Sequence, residues 1–232
     1  MRMPPMVIDE AILLVDTYFK ISAIEDKTEQ QFYREELSAT LRGLTFFSEF
    51  QGHPTFRNVS GMTLLLMNIT NVISGKWSVG KISKNKYDLI IRYKRDITLL
   101  DQVAQAIKYI ASSGLYEHFA IDKNCDFLGG TLLLGYHTYL ETRGDLATPA
   151  RENLLSLHGS RCAICHDDLS FTYGEMADKL IELHFAAPIS WYTHKAQPTL
   201  GEYLLLCPNC HKLAHCDVGF FTEEALKRAV AY

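Results

Sequence analysis

The chain has 232 residues, 47% of them hydrophobic and 22% charged, a composition of globular rather than disordered or fibrous proteins and a length for one larger domain or two modest ones. A formal net charge of −4 removes overall basicity as an argument for nucleic-acid binding, which then rests on local patches. No apolar run approaches the length of a membrane span. The start, Met1 to Met6, reaches Asp9 and Glu10 too early for a signal peptide. The six cysteines imply no disulfide framework, so a reducing cytoplasmic location is expected.

Ile8, Ile12, Val15 and Phe19 recur at helical spacing, and Asp9 and Glu10 suit a helix start, which predicts a helix over Ile8–Ile21. A second helix is expected from Lys27 to Leu44, with Phe32, Leu37, Leu41 and Leu44 on its apolar face. Gln51 to Asn58 reads as a loop. Ser60 is expected to cap a third helix, Gly61–Ile73. A fourth covers Asp101–Ile110, starting as early as Thr98, with Leu100, Val103, Ile107 and Ile110 inward. Residues 1–145 are thus expected to form a mainly helical domain for DNA recognition or partner binding.

Between the third and fourth helices lies a basic stretch. It holds Lys76, Lys81, Lys84, Lys86, Arg92, Lys94 and Arg95 against one acid, Asp88, with Trp77, Tyr87 and Tyr93 interleaved. Cations at this density neutralise phosphates, and the rings can stack on bases. The competing reading is a solvated helix face whose aromatics are core. Arg57 and Asn58 are further DNA-binding candidates, since arginine pairs with guanine and asparagine with adenine.

Gly114–Asp126 reads as loop and short strand, and Thr131–Glu141, rich in Leu and Tyr, as a strand. The polar turn Thr142–Pro149 is the expected boundary with a second domain, residues 146–232. Ala150–His158 is a short helix, flanked by Arg151 and Arg161. Thr222 is expected to cap a last helix, Glu223 to about Ala231.

Two C-x-x-C pairs dominate the second domain: Cys162-Ala163-Ile164-Cys165 and Cys207-Pro208-Asn209-Cys210. Each two-residue gap lets both sulfurs reach one ion from a tight turn, so four thiolates complete a closed, structural zinc site. Cys125 and Cys216 are left over. His211 and His215 are four apart, so a helix opened by the second pair would place them on one face. His184 sits in an apolar run read as a strand. Three imidazoles beside a closed zinc site suggest a second, divalent metal with open positions, as catalysis requires. Asp167 and Asp168 read as turn residues, and His194 as a spare histidine in a loop.

On these residues the segment resembles the HNH (ββα-metal) endonucleases, in their zinc-stabilised McrA-like restriction form. The matching residues are Cys162-x-x-Cys165, Glu182-Leu183-His184 with Pro188, and Leu205-Leu206-Cys207-Pro208-Asn209-Cys210-His211 with His215. The resemblance implies an α+β protein: a helical N-terminal domain, then two strands and a helix gripping one metal ion. Weaker matches around Ala11–Phe19, Glu36–Arg42 and Phe56–Asn68 are similar to the helical domain preceding such modules. Two positions depart from the pattern. In one alignment His184 is a metal ligand and Phe185 stands where the family has its water-activating histidine. In the other, His184 is that base and the first ligand is missing. Glu202 stands near the place of the asparagine that orients the base; it either substitutes or leaves the site crippled.

The expectation is a DNA endonuclease acting in restriction or antiviral defence. Its catalytic residues would be His184, Glu202, His211 and His215, with His184, His211 and His215 holding Mg²⁺, Mn²⁺, Ni²⁺ or Zn²⁺. Its partner would be double-stranded DNA, cut by a monomer or homodimer. The alternatives are a nuclease subunit that needs a defence-system partner protein, and a non-catalytic zinc module.

Overall fold

The computed structural model describes residues 3–230, an α+β protein made mostly of helices with one small sheet. The helices are α1 (Ile8–Ser22), α2 (Lys27–Gly43), α3 (Val59–Ile73), α4 (Lys84–Tyr93), α5 (Ile97–Ser112), α6 (Thr131–Thr142) and α7 (Ala147–His158). Two short ones follow, α8 (Ser170–Tyr173) and α9 (Ala177–Leu180). Strands β1 (Glu182–Phe185) and β2 (Tyr203–Leu206) then precede α10 (Pro208–Ala214) and α11 (Glu223–Val230). Thr222 Oγ1 accepts the Ala225 N–H at the start of α11, and the expected last residue of that helix, Ala231, lies outside the described residues.

Helix α1 is the axis of the molecule. It is buried on every side from Ile8 to Thr17, the pattern of a helix surrounded by others, and it packs against α2, α3, α4, α5 and α6. Its buried acids are tied to distant backbone and side chains. Glu10 receives Arg57 through Nε at 2.6 Å and Nη2 at 2.8 Å. Asp9 accepts the N–H groups of Thr131 and Leu132 at 2.8 and 3.0 Å, so it caps α6 from across the core. Gly130 precedes α6 with φ 86°, and a Cβ there would lie 2.7 Å from Asp9 Oδ1, so only glycine lets the cap close.

Several elements differ from the sequence expectation. Thr131–Thr142 is a helix, not a strand: Leu132, Leu133, Tyr136, His137, Leu140 and Glu141 are buried at helical spacing. Gly114–Asp126 contains the 3-10 turn Leu115–His118 and no strand. The cap of α3 is Asn58, whose Oδ1 accepts the Gly61 N–H at 2.8 Å, rather than Ser60. Phe32 is 61% exposed, off the buried face formed by Leu37 and Leu41. Leu100, Val103, Ile107 and Ile110 of α5 are all fully buried, as expected.

Strands β1 and β2 are antiparallel, in register from Glu182 opposite Leu206 to Phe185 opposite Tyr203. The buried core is continuous across the expected boundary at residue 145, running from Val7 to Leu226. Helix α5 packs on the 3-10 turn Ile189–Thr193, and α6 packs on β1. Among the described residues no helix is long and apolar enough to cross a membrane.

Candidate metal centres

The first cysteine pair follows α7. The chain turns so that His166 N–H donates to Cys162 O at 3.0 Å and Cys162 N–H to Asp167 O at 2.9 Å. His166 takes φ 63° to close this knuckle. The second pair opens α10: Cys207 is its N-cap, Pro208 its first residue, and Cys207 Sγ receives the Cys210 N–H at 3.5 Å. A bond from Ala163 N–H to Leu205 O, 2.9 Å, ties the first knuckle to β2.

The four sulfurs lie within 4.8 Å of one another and could hold a metal ion such as zinc. Cys165 Sγ and Cys207 Sγ are 3.7 Å apart, close to the edge of about 3.8 Å that Zn–S bonds of about 2.3 Å give a tetrahedron. The electrostatics point the same way. Cys162 is lowered: burial opposes its ionisation, but backbone N–H groups of Cys207, Cys165 and Ile164 outweigh it. Burial and the neighbouring thiols push Cys165 up to about 11 and Cys210 higher still. One thiolate thus holds off the others, and a dication relieves that repulsion.

A second cluster lies beside the first, around the carboxylate of Glu141 on α6. One donor each from His137, Glu141, His184 and His215 lies within 4.8 Å of the others, a grouping that could hold a metal ion. Glu141 Oε1 is 2.7 Å from His184 Nδ1 and 3.0 Å from His137 Nε2, and Glu141 Oε2 is 3.0 Å from His215 Nε2. His211 Nε2 stands 3.4 Å from Glu141 Oε1 and 3.1 Å from His215 Nε2. The outer ring nitrogens are held in place. His184 Nε2 donates to Phe221 O at 2.9 Å, His137 Nδ1 meets Tyr192 Oη at 2.6 Å, and His211 Nδ1 donates to Glu182 Oε2 at 2.6 Å.

Local structure explains this convergence. Residues two apart on a strand share a face, so Glu182 and His184 both look toward α10 and α6. Residues four apart on a helix share a face, which brings together His137 with Glu141 and His211 with His215. Burial lowers His137 to about 4, so its ring is neutral at pH 7. Burial would raise Glu141, but the charge on His137 and hydrogen bonds from His184 and His211, present only when those rings are protonated, hold it well below the ordinary carboxylate range. Burial acts downward on His211, and Glu141 and Glu182 outweigh it and raise the ring.

Sequence reasoning found His184, His211 and His215 but missed His137 and Glu141. The available signal was the spacing His137-x-x-x-Glu141, which is meaningful on a helix only.

Other expected site residues lie elsewhere. Glu202 is turned into its own loop, where Oε2 accepts the Thr199 N–H at 2.7 Å. His194 is exposed and meets only Thr193. Phe185 is fully buried on the opposite face of β1 from His184, packed on Trp191 and Tyr203. Arg57 is buried in its pair with Glu10, and Asn58 is spent on the α3 cap, so neither can read a base. Of the basic stretch, Arg92 is bound to Asp217 at 2.7 Å and Lys84 to Asp88, and Lys86 is half-buried. Lys76, Lys81, Lys94 and Arg95 remain exposed. Arg161 lies 3.6 Å from Asp168.

An open groove of about 760 Å³ leads to the second cluster. His211, His215, Glu141 and Glu182 line it together with Arg151, Lys179 and Lys212. No protein-family model matches the chain, and neither a curated protein nor a solved structure does.

Proposed function

We propose that this chain is a metal-dependent endonuclease that hydrolyses DNA phosphodiester bonds. The observation that carries the reading is the convergence of His184 on β1 with His211 and His215 of the α10 segment, beside a four-cysteine cluster and next to a groove that Lys179 and Lys212 also line. Strand, strand and helix follow one another in the order that the HNH resemblance implies. A divalent ion there supplies charge neutralisation at a phosphate oxygen and a lowered pKa for water. The side chains have separable tasks. Lys179 and Lys212, both exposed, attract and position the phosphate backbone, while Arg151 is bound to the carbonyls of Asp178 and Ile181. His211 is open to the groove and fixed by Glu182, so its Nε2 can take a proton from an attacking water, with Glu182 stabilising the imidazolium. His184 is fully buried, which suits a ligand rather than a base that must meet water. The four cysteines hold α10 and the strands in place.

One observation favours a second reading, a module that binds DNA or a protein partner without cleavage: in the alignment that makes His184 a ligand, Phe185 takes the place of the family's base, and its ring is fully buried. Plasmid cleavage by the purified chain with Mg²⁺, Mn²⁺ and Ni²⁺ in turn, beside His211→Ala, separates them. Nicking or linearisation that falls by about 100-fold or more in the variant is expected. Plasmid that stays intact with every metal and every DNA, modified or not, favours the binding module or a partner-dependent subunit.

A further inference from the structure

We propose that His137, Glu141, His184 and His215 form a second metal site for a first-row transition-metal ion, with helix α6 supplying two ligands from outside the cysteine module. The site shares His184 and His215 with the nuclease reading but does not depend on catalysis. An ion could sit there in a chain that cleaves nothing.

A carbonyl only accepts, so His184 Nε2 carries the hydrogen that it gives to Phe221 O. In the neutral ring, Nδ1 then turns a lone pair on Glu141 Oε1 at 2.7 Å, two acceptors face to face. His137 is fully buried, and its Nε2 has no hydrogen-bond partner among the described residues. It lies 3.0 Å from Glu141 Oε1 but off the hydrogen-bond direction. His215 Nε2 and His211 Nε2 meet at 3.1 Å, where at least one must be a donor for contact to be favourable. One proton relieves one of these contacts. Relieving all of them with protons puts several positive charges into a buried space, whereas a single dication satisfies the lone pairs together.

The donors converge on one point, as a ligand shell requires. Metal bonds of about 2.0–2.1 Å in a tetrahedron separate ligand atoms by about 3.4 Å, and the closest donor contacts here are 2.7 to 3.0 Å, so the side chains would move apart by a few tenths of an ångström on binding an ion. The outer contacts also fit. Metal-binding imidazoles usually give their other nitrogen to a carbonyl, hydroxyl or carboxylate. His184 does so to Phe221 O, His137 meets Tyr192 Oη, and the adjoining His211 uses Glu182. Three imidazoles and one carboxylate favour Zn²⁺, Ni²⁺, Co²⁺ or Mn²⁺ over Mg²⁺, which prefers an oxygen shell. His211 stands on the groove side, where the ion would face solvent.

The test counts metals on the full chain. Apoprotein is loaded with Zn²⁺, dialysed, and analysed for zinc per chain; Co²⁺ loading distinguishes the sites, because thiolate ligands give intense sulfur-to-cobalt absorption that nitrogen and oxygen donors lack. Wild type should hold two equivalents. Glu141→Gln and His137→Ala should each hold one, with the sulfur absorption unchanged. Glu141→Gln keeps the shape of the side chain and an acceptor for the Phe185 N–H, and circular dichroism checks its fold. Should that variant lose structure, the partly exposed His215→Ala takes its place with the same expected loss of one equivalent. A wild type that holds one equivalent overturns the proposal, as do two equivalents retained in the folded variants. Plasmid cleavage in parallel reads the nuclease proposal separately: two metals without cleavage keep this site and remove that activity.

Discussion

The cysteine cluster draws its four donors from two knuckles inside one module, whereas the histidine–glutamate cluster draws on α6, β1 and α10, elements separated by much of the chain. The four cysteines are alike and bound into backbone turns, three of them buried and Cys165 exposed; the second cluster is as deeply buried, mixes imidazoles with a carboxylate, and borders a groove through Glu141 and His215. A closed set of soft donors suits a structural ion, and an open set of nitrogen and oxygen donors suits chemistry. Dependence between the two sites runs one way. Helix α10 is capped by Cys207 at one end and by His215 at the other and carries His211, so the second cluster needs the first, while the four thiolates take no ligand from α6.

Breaking the cysteine cluster should therefore have the largest effect. Cys207→Ser removes one of the four thiolates, while its hydroxyl can still accept the Cys210 N–H and cap α10, so the loss reads the metal and not the cap. Structural zinc contributes on the order of 10 kcal/mol to small modules. Zinc analysis and limited proteolysis should find both metals lost and residues 159–230 cleaved readily. If the variant kept its nitrogen-bound metal, the one-way dependence would be wrong.

A smaller effect should come from Asp9, which caps the helix carrying His137 and Glu141. Burial raises its pKa to about 6, against the N–H groups of Leu132 and Thr131, from an ordinary 3.8. The folded chain thus keeps this proton to higher pH than the unfolded chain. The associated stability is full below about pH 4 and is lost as pH rises through about 6, a difference of roughly 3 kcal/mol. Asp9→Asn lacks this titration. Denaturant melts of both proteins at pH 4 and pH 7 should show wild type losing ground to the variant on going to the higher pH. A constant difference would mean that Asp9 ionises alike in both states.

Tyr192→Phe removes the hydroxyl that holds His137 Nδ1. Loss of stability of about 1 kcal/mol is expected, with metal affinity at the second cluster reduced by about 10-fold or more. Cobalt absorption from the cysteines should not change, and a loss at both sites would show that the two are not separable from the α6 side.

The smallest effect is expected from Glu202→Gln. Its carboxylate serves its own loop through Thr199, so metal content and any cleavage should match wild type, with stability lower by at most about 1 kcal/mol. A large loss of cleavage with metals retained would return Glu202 to the active site.

What could be read in advance follows the range of the interactions. The two C-x-x-C pairs, the His211/His215 face and the inward positions of α5 are local patterns fixed by chain geometry, and the structure has them. Helix α6 is obscured in the chain by its Tyr and Thr residues, which favour strands, and by Gly135, which weakens a helix. In a strand His137 and Glu141 would lie about 13 Å apart, too far to meet at one point. Arg57 looked like a base reader because its partner, Glu10, lies 47 residues away in sequence.

The two cysteine pairs and the histidines of β1 and α10 stand out in the chain, since a two-residue gap in a tight turn and a four-residue gap on a helix bring neighbouring side chains together. The fold is what carries the two cysteine pairs to one point, makes α6 a helix capped by Asp9, brings Glu141 and His137 to those histidines, and engages Arg57, Asn58 and Glu202 elsewhere. Those outcomes depend on which buried polar groups find partners across the core, and pairing at that distance leaves no periodic trace in the chain.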